Sequence, residues 1–144
     1  MSKLYITWEQ FQVDTEILVE LIKEKYENEN FIGIVAVARG GYIPAAIIAN
    51  RLNIKNLRSI SISSYDDIDE TQKNEITVNN IFNTDEKWLV IDELADSGDS
   101  LELIRKYHPN SVLAVVYTKP RGESKTDLHA VSLSQDTWIV FPWE

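Results

Sequence analysis

The chain has no cysteine among its 144 residues, which excludes disulfide staples and any mechanism built on a thiolate nucleophile. That absence agrees with a reducing compartment, and a cytoplasmic location is expected. No apolar run approaches the roughly 18 residues that a membrane span requires. Met1-Ser2-Lys3-Leu4-Tyr5-Ile6 also lacks the apolar core of a secretion signal. Cations are scarce: 14 Lys and Arg stand against 23 Asp and Glu, for a formal net charge of −9. The few basic residues form no stripe, so nucleic acid is not an expected partner. A small anionic substrate stays compatible, because global charge is screened within about 8 Å while a local Arg, Lys, amide cluster or bound cation acts at contact. Only two histidines occur, His108 and His129, each remote from the other and from the motifs below, so neither is read as functional.

What is present is ordinary for a soluble single-domain chain, with 44% hydrophobic and 26% charged residues. The first chemistry lies in Trp88-Leu89-Val90-Ile91-Asp92-Glu93-Leu94-Ala95-Asp96-Ser97-Gly98-Asp99-Ser100. A short apolar run reads as a buried strand, with Asp92 and Glu93 following where it emerges. Asp96-Ser97-Gly98-Asp99-Ser100 is then a small-residue loop feeding the helical pattern Leu101, Leu103, Ile104, Tyr107, a place where backbone N–H groups can hold a phosphate. Two adjacent acids can hold sugar hydroxyls or Mg²⁺, so a ribose 5-phosphate suits both halves. The same residues also suit a plain acidic strand end with Asp96 or Ser97 capping the next helix.

Phe31-Ile32-Gly33-Ile34-Val35-Ala36-Val37-Ala38 is almost wholly apolar and predicts a central strand covered on both faces. Arg39-Gly40-Gly41 follows, then a buried helix with Pro44 in its first turn. Two glycines allow close backbone approach to a ligand and Arg39 can reach an anion; a tight turn with a surface Arg is the plainer reading. Leu57-Arg58-Ser59-Ile60-Ser61-Ile62-Ser63 alternates as a half-exposed strand. Ser64-Tyr65-Asp66 opens an acidic, aperiodic stretch that is either a solvated linker or a lid. Ile76, Val78 and Ile81 suggest a return strand. Ser111-Val112-Leu113-Ala114-Val115-Val116-Tyr117-Thr118 is another buried strand, ending at Lys119 on the carboxyl edge where open α/β sheets bind ligands; a surface lysine before a turn is the alternative. At the start, Thr7-Trp8-Glu9-Gln10 has capping-box spacing, and Asp14 is placed to cap a second, longer helix. The aromatic tail, Trp138 to Trp143, is expected to dock as a core lid or a stacking surface.

In their order, these motifs resemble type I phosphoribosyltransferases, and from residue 31 onward the xanthine-guanine branch of the purine enzymes. The resemblance rests on an apolar strand with two acids and Asp96-Ser97-Gly98-Asp99-Ser100 in place of Asp-Thr-Gly-Gly-Thr, on Arg39-Gly40-Gly41, on Lys119, and on Asp136-Thr137-Trp138-Ile139 with Phe141-Pro142-Trp143. Asp99 departs from the pattern by putting a carboxylate where the family has glycine.

The resemblance implies an α/β fold: a mostly parallel twisted sheet with helices on both faces and a small hood from the N- and C-terminal segments. It places 1–144 in one domain, with a core over about 31–127 and hood parts over about 1–30 and 128–144. It further implies phosphoribosyl diphosphate (PRPP) and an oxopurine as substrates, Mg²⁺ as cofactor, a homodimer or homotetramer, and a cis peptide near Ala38-Arg39. Arg39, Gly40, Asp92, Glu93, Ala95, Asp96, Ser97, Gly98, Asp99 and Ser100 would bind PRPP, with Asp92 and Glu93 at the metal. Asp96 would be the general base, and Lys119, Trp138 and Ile139 would hold the purine. Ser64-Tyr65-Asp66 resembles the start of the branch's catalytic loop. Three other readings remain: a PRPP or nucleotide sensor on the same fold, a transferase for another acceptor such as orotate, and a receiver-type acidic pocket.

Overall fold

The two longest apolar runs lie side by side at the centre of a six-stranded sheet. In the computed structural model, which describes residues 2–64 and 76–144, the chain runs β1 (Ser2–Tyr5), α1 (Trp8–Lys25), β2 (Ile34–Ala38), α2 (Tyr42–Leu52), β3 (Leu57–Ser64) and β4 (Ile76–Asn79). It continues through β5 (Leu89–Ala95), α3 (Asp99–Tyr107), β6 (Val112–Thr118), α4 (Pro120–Glu123), β7 (Leu128–Ser132) and β8 (Thr137–Val140). The sheet order is β4-β3-β2-β5-β6-β7, and only the β3–β4 pairing is antiparallel. β1 and β8 form a separate parallel pair.

Alternation explains why the central strands are apolar throughout. Ile34, Ala36, Leu89 and Ile91 pack with Phe11, Leu18 and Ile22 of α1 and with Ala45 and Ile48 of α2. Val35, Val37 and Val90 pack instead with Leu101 and Ile104 of α3. Successive side chains therefore enter opposite covered faces, and neither face tolerates a polar residue. Each fully buried Ile or Leu stabilises by about 1.5–3 kcal/mol relative to exposure.

The sheet has one break in its pairing. β2 pairs with β3 over Ile34–Ala38, but with β5 only from Ile34↔Leu89 to Ala36↔Ile91. Beyond Ile91, β5 stays with β6, matching Asp92 to Val115 and Ala95 to Thr118. Connections leave β2 toward β3 on one side and β5 toward β6 on the other, so a crevice opens at the carboxyl ends between them. Asp92 and Glu93 thus lie within a strand, not after one: Asp92 and Leu94 stay in register with β6 on either side of Glu93 although the apolar run has ended.

The N-terminal third also differs from the sequence expectation. Thr7 does cap, its Oγ1 accepting from the Gln10 N–H at 3.0 Å, but α1 is a single helix through Asp14. Asp14 is buried, and its carboxylate accepts from Gln10 Nε2 at 2.9 Å and from the Tyr117 hydroxyl at 2.6 Å. With partners for both oxygens it has no need of helix N–H groups. Burial first, and the bond to Asp14 second, raise the Tyr117 hydroxyl far above its usual value, so it acts as a donor. Every residue of β1 is exposed, with no inward and outward alternation to reveal it; it exists through β8. No helix among the described residues is long and apolar enough to cross a membrane.

His108 is a buried side chain whose ring meets Phe82 edge-on at 4.6 Å, while the Arg58 guanidinium lies over Phe82 at 3.6 Å. Burial pushes the imidazole below its usual value; the Phe82 backbone opposes this in part and Arg58 adds to it. The unfolded chain takes up this proton near pH 6.5 and the folded chain only at lower pH. His108 thus contributes stability fully above about pH 6.5 and loses it as pH falls through that window. Denaturant titrations of the wild type and His108→Phe should show the wild type losing ground to the variant between about pH 7.5 and 5.5. A constant difference across that range would contradict this reading.

Candidate active site

Where β2 and β5 part, the chain turns from β2 into α2 through Arg39-Gly40-Gly41. The Gly41 N–H donates to the Val37 carbonyl at 2.9 Å, and the Gly41 carbonyl accepts from the Ala45 N–H at 3.0 Å. A Cβ on Gly41 would press on the Val37 carbonyl and lie 2.8 Å from the Ile91 carbonyl, so the loop sits against β5 as only glycine allows. A Cβ on Gly40 would collide with the Glu93 carboxylate. The Ala38–Arg39 peptide is cis, in the position the resemblance implied.

Asp92 is 9% exposed, and its Oδ1 accepts from the Glu93 N–H at 2.8 Å. Burial, and next the adjacent Glu93 charge, push its carboxyl well above the usual range. Two crowded carboxyls with hard oxygen donors form an anionic pair that a divalent cation would relieve.

Asp92 through Leu101 line a hollow of about 250 Å³ that includes Ala95, Ser97, Gly98, Asp99 and Ser100. α3 starts from Gly98, whose φ of 84° is left-handed, and no side chain caps it. The plainer alternative, an Asp96 or Ser97 cap on α3, does not form: Asp96 faces Lys119 and Gln135, and the Ser97 Oγ accepts from the Asp99 N–H at 3.3 Å. A side chain on Gly98 would also be strained and would meet Lys125 Cγ at 2.5 Å. Asp99 is the exposed first residue of α3, where a negative charge suits the helix dipole.

A larger cleft of about 850 Å³ adjoins the hollow through Glu93, Leu94 and Asp96, which line both. Arg39, Gly40, Lys119, Trp138 and Ile139 line the cleft as well. Lys119 is no surface lysine: its side chain is 7% exposed, and Nζ lies 3.1 Å from Asp96 Oδ2. A buried ammonium requires such a partner. Asp96 Oδ1 accepts from Gln135 Nε2 at 2.8 Å, so both carboxylate oxygens are engaged. Trp138 is 55% exposed at the cleft wall. Trp143 by contrast stacks on Phe141, at 4.7 Å and 10°, and meets Phe11 edge-on at 5.0 Å, so these rings support the wall that Trp138 completes.

The structure therefore gathers Arg39, Gly40, Glu93, Asp96, Lys119, Trp138 and Ile139 into one cleft, with Asp92 and residues 95 and 97–100 in the adjoining hollow. Of the lid residues, Ser64 ends β3, and Tyr65 and Asp66 lie outside the described residues. Tyr42 and Ile62 in the cleft wall, and Gln135 bonded to Asp96, were not expected at the site. Tyr42 and Ile62 carry no signal beyond periodicity, whereas Gln135 directly precedes the Asp136-Thr137-Trp138-Ile139 block.

Comparison with known proteins identifies the family of this fold. A family model described as a phosphoribosyl transferase domain matches residues 8–144. The xanthine-guanine phosphoribosyltransferase of Nitratidesulfovibrio vulgaris is 40% identical over 139 residues, which are 96% of this chain and 83% of the relative. That of Desulfotalea psychrophila is 41% identical over 140 residues, 96% of this chain and 84% of the relative. Among solved structures, the xanthine-guanine-hypoxanthine phosphoribosyltransferase of Helicobacter pylori superposes with a TM-score of 0.81 at 26% identity, covering 99% of this chain and 94% of that one. With the family model spanning the whole sheet, both strand–loop–helix units and the C-terminal wall of the cleft, the chain belongs to the phosphoribosyl transferase family.

Proposed function

We propose that this chain is a purine phosphoribosyltransferase of salvage metabolism, joining PRPP to an oxopurine (xanthine, guanine or hypoxanthine) to give the nucleoside 5′-monophosphate and pyrophosphate in the cytoplasm. The observation that carries the reading is one cleft at the β2–β5 crevice that combines Arg39, the acidic pair, the Lys119–Asp96 pair and exposed Trp138. The bond between ribose C1 and pyrophosphate oxygen breaks with its electron pair on the leaving group, and purine N9 bonds to C1. A proton leaves the purine at N7.

Each group has a part. The Arg39 guanidinium and the Gly40 N–H hold the departing pyrophosphate. The uncapped start of α3 and the hydroxyls of Ser97 and Ser100 hold the 5′-phosphate. Asp92 and Glu93 hold the ribose hydroxyls and would bind Mg²⁺. No cluster of three or more metal-binding side chains occurs among the described residues, so the donor set fits a cation completed by substrate oxygens and water. When bound, Mg²⁺ neutralises charge developing on the leaving pyrophosphate. Asp96 accepts the N7 proton, Lys119 donates to the 6-oxo group, Trp138 stacks on the base and Ile139 meets its 2-position through the backbone. The 6-amino group of adenine offers no acceptor to Lys119 in that place. A homodimer or homotetramer belongs to the same reading.

Pyrophosphate release from PRPP and Mg²⁺ should occur with xanthine, guanine or hypoxanthine and not with adenine or orotate; release with orotate alone, or with no base, would overturn the reading. Asp96→Asn should lower turnover roughly 100-fold or more, and near-normal turnover would remove Asp96 as the base. Trp138→Ala should raise the KM for the base roughly 10-fold or more while leaving that for PRPP within about 2-fold, since stacking contributes about 1–3 kcal/mol per base. An unchanged base KM would detach Trp138 from the purine.

A further inference from the structure

We propose that Gln135 is a positioning residue that keeps the Asp96 carboxylate aimed while Lys119 moves from that carboxylate to the base. The inference rests on the transferase reading above. Its starting point is that Gln135 uses both ends of its amide at once. Its Oε1 accepts from the Arg121 N–H at 2.9 Å, and its Nε2 donates to Asp96 Oδ1 at 2.8 Å. A backbone N–H can only donate, so the amide orientation is dictated by chemistry: oxygen toward Arg121, nitrogen toward Asp96. Arg121 lies in the first turn of α4, where N–H groups lack helical partners, so the amide is anchored to backbone.

The other Asp96 oxygen belongs to Lys119, at 3.1 Å. A base whose 6-oxo group recruits the Lys119 ammonium weakens that bond and frees Oδ2 to receive a proton. The Asp96 side chain is 55% exposed, so losing its ionic partner Lys119 would leave it free to turn toward water. The bond from Gln135 remains through this exchange, because it touches the oxygen that does not react. A neutral amide suits this role, because it holds the carboxylate without lowering its basicity as a second cation would, and without repelling it as an acid would. A general base misplaced by about 1 Å can lose roughly 100-fold in rate. Gln135 thus ties the segment before β8, which brings Trp138, to the strand-end acid of β5 and the α4 turn.

Two near-isosteric variants test this. Gln135→Glu keeps the acceptor for the Arg121 N–H and turns a carboxylate toward Asp96. The charged groups sharing the cleft are Lys119, Arg39, Glu93 and Glu144, and none of them is altered. The acid limb of the kcat/KM profile should move up by about one pH unit, because a like charge favours protonated Asp96. Gln135→Met keeps the length and removes both hydrogen bonds; kcat should fall roughly 10-fold with the KM for PRPP within about 2-fold, since the 5′-phosphate and pyrophosphate contacts lie elsewhere. Melting temperatures taken alongside verify that each variant is folded. A Gln135→Glu profile superimposable on the wild type, or a Gln135→Met kcat equal to the wild type, overturns the assignment of Gln135 alone. Absence of pyrophosphate release by the wild type with every oxopurine overturns the transferase reading, and this inference with it.

Discussion

The ladder between β2 and β5 stops at Ile91, and the chemistry of this protein depends on that stop. Up to Ile91 the two central strands satisfy each other's backbone and bury every side chain between α1–α2 on one face and α3 on the other. Beyond it, among the described residues, β5 stays paired with β6 alone, and the freed edge faces a crevice. Two demands meet there. The chain leaving β2 must turn within van der Waals distance of β5, which Gly40 and Gly41 permit, and the strand must end in residues that tolerate partial burial with charge, which Asp92 and Glu93 do at an electrostatic cost. A glycine loop and an acidic pair are therefore two consequences of one parting of strands.

That arrangement also reconciles a net charge of −9 with an anionic substrate. The negative charge is spread over the surface, where solvent and salt screen it. At the crevice the order of signs is local: Arg39 at one end, the uncapped start of α3 at the other, and a carboxyl pair between them that would welcome a divalent cation. Lys119 adds a buried ammonium whose charge is balanced by Asp96 until a ligand offers a better acceptor. In the proposed purine site that depth would give it discrimination, because a buried donor left facing another donor cannot turn to water instead.

The central strands, the glycine loop, the acidic motif and the aromatic tail are legible in the sequence because each depends on local chemistry. A strand covered on both faces must be apolar where it is covered, as in Ile34–Val37 and Val112–Val116. Features decided by partners distant in sequence are not legible. Asp14 looks like a helix cap because its partner, the Tyr117 hydroxyl, lies 103 residues away. β1 has no pattern of its own because its strand neighbour among the described residues is β8, at the far end of the sequence. Lys119 reads equally well as a surface residue, since its burial follows from the walls around it. Gln135 carries no signal beyond its place before the Asp136-Thr137-Trp138-Ile139 block: an amide reveals its role only when both of its ends are seen to be used. The extent of β5 is hidden for a related reason, as apolar character ends at Ile91 while backbone pairing with β6 continues.

The most direct test of the central claim, that the β2–β5 parting is the PRPP site, is a calorimetric titration of PRPP with Mg²⁺ into the wild type and Gly40→Ala. The added methyl would displace the Glu93 carboxylate, a flexible group, and so disturbs the crevice without touching the core. The account predicts binding to the wild type and at least roughly 10-fold weaker binding to the variant, equivalent to about 1.4 kcal/mol, at an unchanged melting temperature. Equal affinity of the two proteins for PRPP would contradict it and move the ribose-phosphate site away from this crevice.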